Sequence, residues 1–356
     1  MNYYTLIAEC SLLVAKKESI MNRDKILLDH GSGGRASHEL IETYFVPRFQ
    51  NPFLNDLNDS AVVNFSDIRL AFTTDSYVVD PIFFPGGDIG SLAICGTVND
   101  LSMRGARPYY LSLGFILEEG FPLEDLKRIL LSMEQAAREA GVQIVTGDTK
   151  VVPRGSADKI FINTSGLGLI PEGINIAGQN ARPGDAVLLS GPVGDHGLTI
   201  LSKREGLAFD SPLKSDVAPL NHLVREMLAV SSEIHVLRDP TRGGLATTLN
   251  EIAQQSQVGL ELWEDTIPIR GSVLAASEIL GLDPLYIANE GKLVAILPQA
   301  QAEAVLAAMK KNPYGQEAAI IGRVESENSG RVVMKTAIGG KRLVDMLSGE
   351  QLPRIC

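Results

Sequence analysis

The chain has 356 residues, 45% of them hydrophobic and 21% charged, enough for two typical domain cores. Lys and Arg total 32 against 43 Asp and Glu, a net charge of −11; with no local basic patch, this argues against a nucleic-acid backbone or an anionic membrane as partner. Three scattered cysteines, Cys10, Cys95 and Cys356, form no CxxC pair and no disulfide framework, which suits a reducing compartment and sets the expected localisation as cytoplasmic.

In chain order, Leu6 to Ala15 is apolar but short, with no basic residue ahead of it and no cleavage pattern behind, so it reads as neither signal peptide nor membrane span. Met21 offers a second start, and residues 1–21 are expected to be an extension outside the functional fold. Strand and helix patterns then alternate from Asp24 to about Ile170. Gly114 to Leu117 reads as a strand. A helix follows, opened by Pro122, with Leu126, Ile129, Leu130, Met133 and Ala137 on its apolar face and Gly141 as its left-handed cap. Val142 to Val145 reads as a short buried strand delivering Thr146-Gly147-Asp148-Thr149-Lys150 at its carboxyl end.

A second unit begins at the turn Arg182-Pro183-Gly184-Asp185, continues in the strand Ala186 to Ser190, and enters the glycine-rich Gly191 to Gly197. Val236-Leu237-Arg238 runs into Asp239-Pro240-Thr241-Arg242-Gly243-Gly244 and a helix through Ile252. Leu285 to Ala288 runs into Asn289-Glu290-Gly291-Lys292. The implied domains are residues 22–172 and 173–345, followed by a tail, 346–356, expected to be mobile. About ten extended residues span ~33–36 Å, enough to cross a domain face or reach a partner. The periodicity leaves the strand order open.

The tail ends on Cys356. A terminal thiol has a free pKa of about 8.5 and is a usable nucleophile or carrier, provided the body of the chain has matching chemistry. That body places acidic residues beside small neighbours at loop or helix starts: Asp59, Asp75, Asp100, Asp148 and Asp239. Each reads either as a cap or turn former or as an oxygen ligand for a hard cation such as magnesium. Asp100 follows the small apolar run Leu92 to Val98, where a buried charge needs a partner or a metal. His30-Gly31-Ser32-Gly33-Gly34-Arg35 reads as a plain turn or as a loop whose amides wrap an anion, with Arg35 adding charge. It is not a P-loop, and no dinucleotide fingerprint occurs. His196 lies in a glycine-rich turn where it could meet a substrate, but no second histidine stands at zinc spacing. Cys95, among apolar neighbours, reads as a core thiol.

Taken together, His30 to Gly34, Ser76 to Gly87, Gly147 to Val152, Asp239 to Gly244, Ala288 to Lys292 and the terminal Pro353-Arg354-Ile355-Cys356 resemble the HypE family of hydrogenase maturation factors, the carbamoyl dehydratases. The resemblance runs in order from about Met21 to Cys356, and residues 1–20 are its one departure. It implies a two-domain, α+β and α/β fold like that of aminoimidazole ribonucleotide synthetase, with an amino-terminal domain that dimerises and binds ATP. It implies Mg²⁺ at Asp59, Asp75, Asp100, Asp148 and Asp239, and ATP at Gly31, Ser32, Gly33, Gly34, Arg35, Thr74, Asn99, Gly147 and Thr149.

The same resemblance implies that a HypF-like carbamoyltransferase loads Cys356, that ATP drives dehydration of the thiocarboxamide to a thiocyanate, and that a HypC–HypD-like scaffold accepts the cyanide. Glu290 would take the proton from nitrogen, with Lys150 orienting the substrate or tuning that acid. The alternatives are a selenophosphate synthetase-like enzyme, a small-molecule kinase of the same fold, or an ATP-gated scaffold. The first would want a reactive Cys and a Lys in the glycine-rich loop, and the kinase has no use for a terminal cysteine.

Overall fold

Two twisted sheets carry the two halves of the chain in this computed structural model, which describes residues 30, 34–49, 51, 57–207, 213–347, 352 and 354–356. The expected extension 1–21 and the loop residues Gly31, Ser32 and Gly33 lie outside the described residues. The first sheet pairs β1 (Ala61–Phe65), β2 (Ile68–Tyr77), β7 (Ile160–Ile170), β5 (Arg107–Glu118) and β6 (Gln143–Val152) in that spatial order. Its pairings are antiparallel except β5 with β6. A small hairpin, β3 (Phe83–Phe84) with β4 (Gly87–Asp88), precedes the first long helix.

Side chains alternate across this sheet with the period of two that a pleat imposes. In β7, Ile160, Ile162 and Thr164 are buried while Asn163, Leu167 and Leu169 are exposed. The buried face packs on α3 (Ile89–Ser102), which in turn packs on α4 (Leu123–Ala140). Two shorter helices, α1 (Arg35–Leu40) and α2 (Val46–Phe49), come earlier, joined by a π-helical turn, Ile41–Phe45. Helix α3 is buried nearly all round, which accounts for the small apolar run Leu92 to Val98. Asp88 caps it, accepting from the amides of Gly90 at 2.8 Å and Ser91 at 2.9 Å. These bonds satisfy amides that no helical carbonyl can reach.

The structure revises several local expectations. Pro122 is the N-cap of α4 and lies just outside the helix, and the buried face is Ile129, Met133, Ala136, Ala137 and Ala140, with Leu130 exposed. Gly141 does hold the left-handed cap, with φ 71°, where a Cβ would be strained. The segment expected as a short buried strand is the ten-residue β6, at the sheet edge and exposed along almost its whole length. An apolar run fits such an edge as well as it fits a core, because periodicity does not report what covers a strand.

The second sheet orders β14 (Lys341–Val344), β13 (Val332–Lys335), β10 (Gly259–Trp263), β12 (Ala319–Glu325), β8 (Asp185–Leu189), β11 (Val294–Pro298) and β9 (Val236–Arg238). Its helices are α5 (Asp195–Glu205), α6 (Asn221–Val230), α7 (Gly244–Ser256), α8 (Gly271–Leu280) and α9 (Gln299–Met309). Ala186 and Leu188 of β8 join a core with α6 and α9, and Val187 and Leu189 join a second core with α7. The sheet is therefore covered on both faces, and its strands read as continuous apolar runs. Leu285 to Ala288 begins as a 3₁₀ turn, Pro284–Tyr286, and the nearby strand is β11.

Asn99, expected to bind nucleotide, joins the two domains instead. It accepts from the Leu220 amide at 2.8 Å and donates to the Ala218 carbonyl at 3.0 Å, and its buried amide is thereby used up. Replacing Asp88 by Ala removes the cap of α3 and is expected to cost about 1–2 kcal/mol, measurable as a lower urea midpoint at unchanged slope.

Candidate active site

The end of β2, the carboxyl half of α3, the turn after β9 and the Asn289-Glu290 loop enclose a cleft of about 280 Å³, lined among others by Asp59, Asp75, Asp100, Asp239, Glu290 and Cys356. Strand alternation explains why Asp75 faces the cleft while Thr74 lies on the opposite, outer face, where its hydroxyl donates to the Thr164 carbonyl at 2.9 Å. Asp100 sits near the end of α3 and accepts from Thr73 Oγ1 at 2.8 Å. Asp75 accepts from the Tyr77 hydroxyl at 3.1 Å. Asp239 and Glu290 are 8% and 4% exposed.

Like charges in a low-dielectric pocket disfavour one another's ionisation. Burial and then repulsion from Asp75, Asp239 and Asp59 push Asp100 well above the usual carboxylate range. Burial and Asp59 push Asp239 up to about 8. Glu290 is raised by burial and then by Asp239, Asp216 and Asp75, against the pull of Arg242, and its buried Oε1 has no hydrogen-bond partner among the described residues. Asp59 is the most engaged of the set, because Arg238 Nε lies 2.9 Å from it. Arg238 also pairs with Glu251, which accepts from His38 of α1 at 2.8 Å.

The end of the chain enters this cleft. Cys356 is 9% exposed, and its Sγ lies 2.8 Å from Arg242 Nη2 and 3.2 Å from Nε. Arg242 reaches it because the chain turns sharply behind it through Gly243 and Gly244, at φ 82° and 65°. A Cβ on Gly244 would stand 2.5 Å from the Leu285 carbonyl oxygen, so only glycine fits there. Burial pushes the docked Cys356 thiol up to about 11 although Arg242 pulls it down. The tail expected to be mobile thus has a seated position for its last residues.

The structure brings together Cys356, Glu290, Asp59, Asp75, Asp100 and Asp239. It does not bring Lys150 to them. Lys150 lies on exposed β6 and pairs with Asp148 at 2.6 Å, both about 70% exposed, and the lysine's hydrogen bond, then its charge, hold Asp148 below its ordinary value. Gly147 and Thr149 share that edge strand. Gly34 is the N-cap of α1, and the exposed Arg35 borders a neighbouring polar cleft of about 480 Å³ that meets the first at His38. Sequence reasoning gave no role to Arg242, His38, Arg238 or Glu251. Arg242 stood within a quoted motif, whereas pairing across 213 residues, as between His38 and Glu251, leaves no local signal.

No group of three or more His, Cys, Asp or Glu donors converges on a single metal position among the described residues. Magnesium does not require one, since it takes one or two carboxylates and completes its shell with water and phosphate. Buried carboxylates that repel one another, with less cationic charge than they need, fit such an ion.

The models of the AIR synthase related protein family match both halves of the chain, the N-terminal domain at residues 57–170 and the C-terminal domain at residues 182–335. Fold and cleft together define a two-domain protein of that class. Within the class, the chain is 59% identical over 327 residues to the carbamoyl dehydratase HypE of Azotobacter vinelandii, covering 92% of this chain and 96% of that one. It superposes on the crystal structure of a HypE–HypF complex with a TM-score of 0.83 at 51% identity, over 86% of this chain and 99% of that one. It superposes on HypE in complex with ATP with a TM-score of 0.79 at 59% identity, over 93% and 100%. The chain belongs to the HypE family of carbamoyl dehydratases.

The raised carboxylates carry a pH signature. Asp239 binds its proton up to about pH 8 when folded but only to about pH 4 when unfolded. Between these values the folded state holds more protons, so its stability falls as pH rises. Asp239→Asn should therefore be more stable than the parent at pH 8, with the advantage fading toward pH 4, as read by denaturant titration at each pH.

Proposed function

We propose that this protein dehydrates a carbamoyl group carried on Cys356 to a thiocyanate, driven by ATP, and thereby supplies cyanide for the iron of a nickel-iron hydrogenase. The observation that carries this reading is the seat of the terminal thiol within the carboxylate cleft, against Arg242 and facing Glu290. A kinase acting on a free small molecule gives no reason for the chain's own end to occupy that place.

Hydroxide leaves a primary amide poorly. Transfer of the γ-phosphoryl of ATP to the oxygen of S–C(=O)–NH₂ forms S–C(OPO₃)=NH with loss of one nitrogen proton. Loss of the second proton then expels phosphate as the C≡N bond forms, leaving S–C≡N. Glu290 suits the role of acceptor, because an orphaned carboxylate with a raised pKa is a stronger base once ionised. Arg242 steadies negative charge beside the sulfur and the transferring group. Mg²⁺ held by Asp75, Asp100 and Asp239, with Asp59 behind them, would neutralise phosphate charge and lower the mutual repulsion of these carboxylates. ATP belongs in this cleft, consistent with the relative solved in complex with ATP.

The docked thiol is a poor nucleophile, because its pKa of about 11 leaves it protonated at neutral pH. Loading therefore suits an outward tail whose thiol has an ordinary pKa of about 8.5, and dehydration suits the inward one. A HypF-like carbamoyltransferase would load the tail, in keeping with the HypE–HypF complex, and a HypC–HypD-like scaffold would accept the cyanide in the cytoplasm. No helix among the described residues is long and apolar enough to cross a membrane.

A homodimer is part of the reading. The outer face of the first sheet exposes Phe72, Tyr110, Ile116, Leu167 and Leu169, an apolar face of the kind that marks association. Pairing two such faces would bring Lys150, Asp148 and Thr74 to the interface, with Gly147 and Thr149 on the other face of the same edge strand, and there Lys150 of one copy can serve the cleft of the other.

The direct test is intact mass after incubation with a carbamoyltransferase, carbamoyl phosphate and ATP. The expected result is a carbamoyl adduct on Cys356 that loses one water only when ATP is hydrolysed, and no adduct in Cys356→Ala. Glu290→Gln should still accept the carbamoyl group but dehydrate it about 10²–10⁴-fold more slowly; unchanged dehydration would remove Glu290 from the role. Leu167→Glu should convert a dimer into a monomer in light scattering, and a parent that is monomeric at micromolar concentration would refute the dimer.

A further inference from the structure

His196, singled out in the sequence for its glycine-rich surroundings, takes no part in the chemistry above, yet it is fully buried against the tail. Its Nε2 lies 2.7 Å from the Ile355 carbonyl oxygen, and its Nδ1 lies 2.7 Å from Ser215 Oγ. A carbonyl only accepts, so Nε2 carries the proton and Nδ1 accepts from the serine hydroxyl. Burial keeps the ring below its ordinary pKa, in the neutral form that this arrangement needs. Phe84 packs edge-on against it, with ring centroids 5.5 Å apart.

Two turns further along the same helix, α5, Arg204 Nη2 donates to the Arg354 carbonyl at 2.8 Å. Arg204 Nε also donates to the Asp80 carbonyl at 2.9 Å. Residues 196, 200 and 204 are spaced by four and share one helix face. Ile200, between the two polar grips, packs in the same apolar cluster as Ile355 and Cys356. From the other side, the first domain offers backbone: Val78 N–H donates to a terminal carboxylate oxygen of Cys356 at 3.0 Å and Asp80 N–H to the Arg354 carbonyl at 3.2 Å. The tail is held by backbone amides on one side and by side-chain donors on the other.

The Ser215 turn also bears on the proton acceptor. Asp216, the next residue, accepts from the backbone amides of Glu290 at 3.1 Å and Gly291 at 3.3 Å and from Lys292 Nζ at 3.1 Å. One short segment therefore orients both the imidazole that grips the tail and the loop that carries Glu290.

We infer that the His196–Ile200–Arg204 face of α5 is the seat of the tail, and that His196 and Arg204 are positioning residues that set the balance between a seated Cys356 and one released for loading. This deepens the dehydratase reading and rests on it for its consequence in turnover, but the seat itself can be tested without that chemistry. Each grip favours only the inward state, so losing one shifts the balance outward by its own strength.

The test is alkylation of Cys356 by iodoacetamide in the full chain, without ATP or transferase, followed by the mass of the C-terminal peptide. His196→Ala and Arg204→Ala should each speed alkylation roughly tenfold, the shift expected from one lost hydrogen bond. His196→Gln, whose side-chain amide can donate to the same carbonyl, should stay near the parent rate. In a second arm, each Ala variant should be loaded by the transferase at least as fast as the parent, while pre-carbamoylated enzyme dehydrates several-fold more slowly. If His196→Ala fails to fold, Arg204→Ala decides alone. Unchanged alkylation in the folded Ala variants would overturn the seat, as would loading and dehydration falling together with the melting temperature. Faster alkylation with no dehydration in any variant, the parent included, would keep the seat and refute the dehydratase reading.

Discussion

Unbalanced negative charge held in a water-poor seam between two domains is the constraint from which the site follows. Asp100, Asp239 and Glu290 are raised well above ordinary carboxylates, because burial and repulsion act in the same direction. A fold tolerates this only if cations or protons relieve the charge. Arg238 relieves Asp59 and Glu251, Lys292 relieves Asp216, and Arg242 is shared between Glu290 and the terminal thiol. What remains unrelieved is the demand that a nucleotide's cations would meet.

The tail answers a different problem, that of bringing a covalently held substrate to the cleft without a binding pocket for it. Its backbone supplies much of the recognition, beside the Arg354 side chain, which donates to the Val78 carbonyl and pairs with Asp158. The carbonyls of Arg354 and Ile355 and the terminal carboxylate of Cys356 are each gripped by a donor from the body of the protein. The backbone donors do not touch the sulfur, which Arg242 meets separately. Burial also quiets the seated thiol, pushing its pKa up to about 11, and a protonated thiol is a poor nucleophile.

The edge strand β6 shows where local reading fails. Its Val-rich start suggested burial, and its Gly-Asp-Thr-Lys sequence suggested a loop delivering groups to the nucleotide. In one chain those groups stand on an exposed face, with Lys150 neutralising Asp148. Asn99 fails for a related reason. The family resemblance placed it at the nucleotide, but its amide spans the domain seam to Leu220 and Ala218.

The sequence by itself determined that the chain has two domains, the left-handed cap at Gly141, the small apolar run ahead of Asp100, and which acidic residues and terminal thiol were candidates for the chemistry. These are legible because they depend on local periodicity, on turn residues or on motifs whose members are close in the chain. Only the tertiary structure decided which acids share a cleft, that Arg242 rather than Lys150 meets Cys356 within one chain, and that His196 and Arg204 seat the tail. Those pairings join residues separated by 114 to 159 positions. Their geometry is set by how two sheets and their helices pack, which no local pattern encodes.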